Sequence, residues 1–451
     1  MHLLDLTLKK EITKVEGSAT LDVKIAGGKV EHCRFGISEY KRFYTQGMRG
    51  KPYRALPTLL ARICGTCSNA HLLASIEACE KALGFQLSEQ AIKLKHLTMY
   101  GLNIRDHALH LYLFAMPDMF GKDSFLEFDE NKPDEHQILH DAFEIKAAGN
   151  YLSIIIAGRS VHAIKPQIGG FAGIPKPEEI ATAVQKLEAA RPAVLRTIKI
   201  FAEAKDRFDR QTKFMAMVAR PFSFLEGHIV SDQGDYIEEK DYRNHLEHTI
   251  IPYSHASGYK FKGQSFMVGA LARINLAKET LHPATKKDAA DALASFPSTN
   301  IFHNNLAQAI EILHCLDHSI ELLQSTQFKA EPLAQPTLEK GTGIGVVEAP
   351  RGTLYHRVTI GTDGKVIKGD IVVPTGQNQI NIEQDLARRI EELLPSDPDA
   401  DTLQLEMEKL IRAYDPCMSC ASHFLKVRID GAAVRAGHKL QQRSDGTVSQ
   451  K

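Results

Sequence analysis

Near the start of the chain stands Arg62-Ile63-Cys64-Gly65-Thr66-Cys67-Ser68-Asn69-Ala70-His71, and near its end Asp415-Pro416-Cys417-Met418-Ser419-Cys420-Ala421-Ser422-His423. Each holds a C-x-x-C pair followed by a histidine, and together they use four of the seven cysteines. Two thiolates at this spacing reach one metal ion, and two such pairs complete a coordination shell. A fold built on this reading must bring the two ends of the chain together. The bare pairs fit other chemistry too: a zinc ion stapling the ends is the commoner use of four cysteines, and C-x-x-C also marks thioredoxin-like redox sites.

Around the first pair, Leu72, Ile76, Cys79 and Leu83 fall at helical spacing and Gly84 supplies a stop. The pair therefore lies at a helix amino terminus, where the helix dipole favours thiolate over thiol. His71 stands one turn beyond Cys67, within reach of a metal-bridging sulfur; the bland alternative is a capping or core histidine. Upstream, Leu21, Val23 and Ile25, the Gly27-Gly28 turn, and Cys33, Phe35 and Ile37 read as a hairpin whose outer strand carries Glu16 inward. Downstream, Ser88 caps a long helix reaching Pro117, on which Asn103, Asp106 and His110 form a polar stripe. Further helical patterns run over 138–157, 178–210 with Pro192 as a kink or break, 301–325, 383–394 and 402–413. Strand-like runs occupy 343–349, 354–360 and 365–373, two of them joined by Gly361-Thr362-Asp363-Gly364. The expected fold class is α+β, mainly helical, with a bundle of long helices and small antiparallel sheets.

With 451 residues the chain is long enough to bury a large core. Lys plus Arg and Asp plus Glu balance at 55 each, so composition points to no nucleic acid. There is no direct membrane span and no signal-peptide pattern at the start, which leads us to expect a cytoplasmic protein, or one exported through a partner. An odd number of cysteines argues against a disulfide framework. Cys79 lies on an apolar helical stripe and Cys315 in Leu313-His314-Cys315-Leu316, and both read as packed thiols; Cys33 lacks a ligand setting as well.

The two cysteine stretches resemble the paired signatures of the large subunit of nickel–iron hydrogenases. The resemblance continues through Val15-Glu16-Gly17, Asp106-His107-Ala108-Leu109-His110, Gly158-Arg159 with His162 and Gly169-Gly170, Glu348-Ala349-Pro350-Arg351-Gly352 and Val373-Pro374-Thr375. It implies a catalytic subunit that interconverts H2 with two protons and two electrons. In the family, Cys64 and Cys417 would be terminal nickel ligands, and Cys67 and Cys420 would bridge nickel to an iron carrying CO and cyanide. Arg351, Asp106 and Asp415 resemble the family's charged canopy over the open metal position, Pro350 and Thr375 its cyanide pocket, and Glu16 its first proton carrier. Read blandly, these would be a loop arginine, a solvated helix aspartate, a helix terminator and a strand-end ion pair.

The resemblance also implies an iron–sulfur small subunit as partner, since three spare cysteines are too few for an electron relay. Further electron-transfer subunits, maturation factors and a C-terminal endopeptidase follow from it. We expect one large-subunit domain over 1–423 and a C-terminal extension over 424–451, removed on maturation. Ser18 and Thr45 depart from the family pattern beside an accessory magnesium site, which leaves His423 as a candidate ligand without its matching carboxylate. Two other classes compete: a zinc-stapled scaffold, and a quinone-reducing respiratory module, which shares the ancestry but has lost the nickel cysteines. Retention of all four argues against the second.

Overall fold

The structure is a computed structural model that describes residues 6–40, 42–336 and 338–422, together with the backbone of 426–429, 432–435, 441–442 and 448–449. The predicted hairpin is β2 (Ala19–Ala26) paired with β3 (Lys29–Ile37), and β1 (Leu6–Glu11) adds a third antiparallel strand on the far edge of β2. Ala19, Leu21, Val23 and Ile25 alternate inward, as a half-buried strand requires. Glu16 is not on a strand of this sheet. It lies in the segment joining β1 to β2 and pairs by one isolated parallel bridge with Cys417.

The helix after the first cysteine pair, α1 (Ser68–Leu83), ends at Gly84, whose φ of +68° places it in the left-handed conformation that glycine adopts freely. Most of α1 is buried all round, so it is a core helix. It rests on the antiparallel sheet β4 (Gly341–Ala349), β5 (Gly352–Ile360) and β6 (Val366–Val372), where the predicted strands lie. The approach is close because β4 opens Gly341-Thr342-Gly343-Ile344-Gly345 and turns all three glycines toward the helix. A Cβ would sit 1.8 Å from Ala82 O at Gly341, 2.0 Å from Ala78 O at Gly343 and 2.0 Å from Ala74 O at Gly345. These are backbone atoms, which no rotamer change can move away.

Around this centre stand α2 (Glu89–Leu109), α3 (Pro133–Ala157), α4 (Pro177–Ala202) and α5 (His303–Ser325). Ser88 caps α2 as expected, its hydroxyl accepting from Ala91 N at 3.1 Å. The long helix does not reach Pro117 unchanged: a π segment, His110–Ala115, interrupts it before a last turn at Met116–Met119. Pro192 lies inside α4 without ending it. Thr375 sits in the first turn of α6 (Pro374–Leu393), a helix that starts well before the predicted 383, and α7 (Ala400–Ala413) leads to the second cysteine pair. The region 213–267 holds strands that the apolar pattern did not single out, among them a four-stranded sheet in which Phe266–Met267 runs parallel to its neighbour. No helix among the described residues is long and apolar enough to cross a membrane.

Gly345→Ala tests the seating of α1. The added methyl has no room and must push the helix or the strand aside, so we expect a loss of about 1–3 kcal/mol or more, read as a lowered denaturation midpoint. An unchanged midpoint would show that the helix and strand can separate at no cost.

Candidate metal centre

Cys67 is the N-cap of α1 and Cys417 that of a short helix, Met418–Ala421, so both pairs meet at helix starts. Three contacts hold the second pair in place. Met418 N donates to Glu16 O at 3.0 Å, Cys417 N donates to the Thr375 hydroxyl at 2.9 Å, and Arg42 N donates to Ser422 O at 3.0 Å. The Arg42 guanidinium also donates to Ile63 O at 3.0 Å, so one residue ties the flanks of both motifs.

The four sulfurs lie within 4.8 Å of one another, all buried and all free. Cys64 and Cys417 are 3.4 Å apart, Cys67 and Cys420 3.0 Å, and Cys417 and Cys420 2.8 Å. Glu16 Oε2 is 3.0 Å from Cys417 Sγ and accepts from Ser419 N at 3.1 Å, while its Oε1 is 3.9 Å from Cys64 Sγ. His71 Nε2 stands 3.4 Å from Cys420 Sγ, and its Nδ1 3.1 Å from His356 Nε2. Arg351 pairs with Asp106 at 2.8 Å and with Asp415 at 2.9 Å, all three buried. Asp415 has φ +49°, a left-handed conformation that few non-glycine residues take and that tertiary contacts must hold.

The structure therefore gathers Glu16, Cys64, Cys67, His71, Asp106, Arg351, Thr375, Asp415, Cys417 and Cys420 into one neighbourhood. Pro350 lies in the β4–β5 turn, where its carbonyl accepts from Arg273 at 3.0 Å. His423 and the whole of the 424–451 extension lie outside the residues whose side chains are described. Sequence reading missed Thr66, whose hydroxyl is 3.2 Å from Cys64 Sγ; Arg105, which donates to Thr66 O at 2.8 Å; and Arg42, Gln308 and His356. Thr66 lies inside the first cysteine motif and Arg105 adjoins Asp106 of another, so both were within reach, but Arg42, Gln308 and His356 carry no local signal.

Burial pushes the Glu16 carboxyl above its ordinary range, and the sulfur of Cys64 adds to that. The Cys64 thiol is held well below its usual value, first because the Cys417 thiol donates toward its sulfur and then because those of Cys420 and Cys67 do. Burial drives Cys417 and Cys420 upward. A first negative charge thus settles on Cys64, and four thiolates here require a cation among them. Two buried atoms beside the cluster, Asp106 Oδ1 and Arg351 Nε, find no partner among the described residues. A soft, thiolate-binding metal centre fits this donor set.

A family model described as nickel-dependent hydrogenase matches residues 46–155 and 231–423. The chain is 32% identical to sulfhydrogenase 2 subunit alpha of Pyrococcus furiosus, over 92% of this chain and 98% of that protein. It is 26% identical to the NAD-reducing hydrogenase HoxS subunit beta of Cupriavidus necator, over 92% of this chain and 94% of that one. In fold it is similar to a crystal structure of an NAD+-reducing NiFe-hydrogenase in the H2-reduced state, with a TM-score of 0.84 at 23% identity, covering 94% of this chain and all of that one. A Ni-Fe-Se hydrogenase from D. vulgaris Hildenborough gives 0.74 at 22%, covering 93% of this chain and all of that one.

Exchange of one thiol for a hydroxyl tests the donor set. Cys67→Ser replaces a soft, acidic ligand by one that binds such metals weakly. Metal content by elemental analysis should collapse while the overall fold, followed by circular dichroism, is kept; full metal loading of the variant would remove Cys67 from the ligand set.

Proposed function

This chain belongs to the nickel-dependent hydrogenase family, and from that membership we propose how its site splits H2 and where protons and electrons leave. It is the catalytic large subunit of a hydrogenase, an oxidoreductase acting on H2, with a nickel–iron centre on its four cysteines. In our reading Cys64 and Cys417 would hold nickel, Cys67 and Cys420 would be shared between nickel and iron, and Pro350 and Thr375 would border the pocket for the iron's CO and cyanide. The observation that carries the reading is the convergence of four buried sulfurs within 4.8 Å, with a carboxylate on one side and a paired guanidinium nearby.

When bound, the nickel–iron centre supplies the place where H2 is polarised and cleaved heterolytically. The chain's own residues then manage charge. Glu16 takes the proton at Oε2 from Cys417 Sγ, 3.0 Å away, and, being only half-buried, delivers it toward solvent. Its raised affinity for a proton suits a carrier that must load beside a sulfur. Arg351, fixed by Asp106 and Asp415, holds a positive charge near the thiolates without supplying a transferable proton. His71 donates toward Cys420 and lowers the basicity of that sulfur, with His356 setting the orientation of its ring.

Two electrons must leave through another chain. Cys33, Cys79 and Cys315 stand outside the four-cysteine group, and burial raises all three thiols. An iron–sulfur small subunit is the partner this calls for, working in a cytoplasmic complex with further electron-transfer subunits. The family match stops at residue 423. That supports one domain over 1–423 and cleavage by an endopeptidase after His423, once maturation factors have delivered the metals. No accessory magnesium site is proposed at His423.

Equal amounts of nickel and iron in the purified enzyme are expected, whereas zinc alone would return the site to a structural staple. Glu16→Gln keeps the shape of the side chain but removes its titratable proton. We expect full nickel and iron with H2 turnover and H/D exchange down about a hundredfold or more; parental turnover would exclude Glu16 as the obligatory carrier. Intact mass of the active enzyme should correspond to a chain ending at His423, and activity in a chain still ending at Lys451 would show the cut to be unnecessary.

A further inference from the structure

The two sulfurs read as holding nickel alone do not have the same surroundings. Cys417 Sγ faces the Glu16 carboxylate at 3.0 Å, whereas Cys64 Sγ faces the Thr66 hydroxyl at 3.2 Å. Resting on the hydrogenase reading, we infer that Thr66 is a positioning residue for the Cys64 sulfur: its hydroxyl donates to that sulfur in the loaded centre, fixes its aim and lowers the electron density it gives to nickel.

The local chain explains how a residue two places on comes back to the sulfur. Cys64 is extended, with φ −142° and ψ 148°, and the backbone then bends at Gly65 and turns through Thr66 into Cys67, the N-cap of α1. Gly65 has no side chain to stand between Cys64 and Thr66. The turn is also held from outside. Arg105, buried on α2, donates from Nη2 to the Thr66 carbonyl oxygen at 2.8 Å, so the peptide that follows Thr66 cannot rotate without breaking a charge-assisted hydrogen bond. Arg105 in turn adjoins Asp106, the partner of Arg351, which ties the turn to the buried ion pairs beside the cluster.

Between a neutral Cys64 and Thr66 either atom could donate, since a hydroxyl and, more weakly, a thiol can each give or accept a hydrogen. A sulfur bound to a cation keeps no hydrogen and can only accept. The Thr66 hydroxyl has no other partner among the described residues, so its hydrogen is available to Cys64 Sγ.

Cys420 receives a comparable contact from a ring nitrogen, His71 Nε2 at 3.4 Å. His71 acts on a sulfur read as shared with iron, and Thr66 on one read as belonging to nickel alone. A hydrogen bond to a ligating sulfur draws electron density from it, and a poorer donor favours the more reduced metal, so the bond raises the potential at which the centre exchanges electrons. Valine has nearly the same shape as threonine and would fill this half-buried position as well. The hydroxyl is the difference, and it lies on the sulfur.

Thr66→Val therefore isolates the hydroxyl. In the purified complex, a redox titration followed by the EPR signal of nickel should show the midpoint moved to lower potential, by an amount equal to about tenfold in the equilibrium between the two nickel states, with nickel content unchanged. Thr66→Ser keeps the hydroxyl and should stay at the parental midpoint. An unchanged midpoint in the valine variant, or the same displacement in the serine variant, overturns the assignment. So does loss of nickel from the valine variant, which would make Thr66 a residue of structure alone. Nickel and iron content of the parent tests the hydrogenase reading and the midpoint tests Thr66, so the two fail separately.

Discussion

Four thiols crowded out of water, from segments 353 residues apart, set the condition that the rest of this molecule satisfies. Ionising such a group costs desolvation and mutual repulsion at once, which is why burial lifts Cys417 and Cys420 while only Cys64 is drawn down. A cation among the sulfurs relieves both penalties, and so the centre and the closure of the chain ends support each other. The backbone contributes in the same direction. Cys67 and Cys417 stand at helix starts, where the helix dipole favours negative charge, and Arg42 ties the two flanks together.

A second buried guanidinium stands behind the first. Arg273 forms a two-pronged pair with Glu311 at 2.6 and 2.7 Å, meets Glu348 at 2.9 Å, and donates to the carbonyls of Ala349 and Pro350 at 3.0 Å each. These carbonyls form the turn between β4 and β5 on which Arg351 sits. Buried ion pairs add little net stability, because desolvation offsets much of the attraction, but they define geometry sharply. Here they hold a loop residue as rigidly as a strand would. The three glycines of β4 do the same for α1 from below, so Cys67, His71 and Arg351 are all placed by elements with no slack.

The sequence made the central helix, the Gly84 stop, the N-terminal hairpin and the β4–β6 sheet legible, because each rests on local periodicity and turn chemistry. The four cysteines, the arginine and both aspartates were legible through motif order. What escaped was non-local. Glu16 was read onto a strand, since nothing near it announces a lone bridge to Cys417 at the other end of the chain. The first turns of α6 were missed because Thr375, Gln377, Asn378 and Gln379 are buried polar residues whose partners lie on other elements, which breaks the apolar stripe expected of a helix. Arg42, Gln308 and His356 act only through partners far away in sequence. No spacing rule marks such residues.

The two flanks of the centre differ in kind, and that difference gives the proposed chemistry a direction. On one flank Glu16 is half-buried, inclined by its surroundings to hold a proton, and separated from Cys417 Sγ by a single hydrogen-bond length. On the other, Arg351, Asp106 and Asp415 are buried and locked in mutual ion pairs, with Gln308 and His110 closing the network behind them. A permanently charged guanidinium repels a migrating proton and has none to give at neutral pH. In the proposed chemistry, protons released between the flanks are therefore drawn toward Glu16. The Arg351 charge, which interacts with the Cys417 and Cys67 sulfurs, stabilises in that chemistry the negative charge left on them, so one asymmetry in burial and charge serves both halves of the separation.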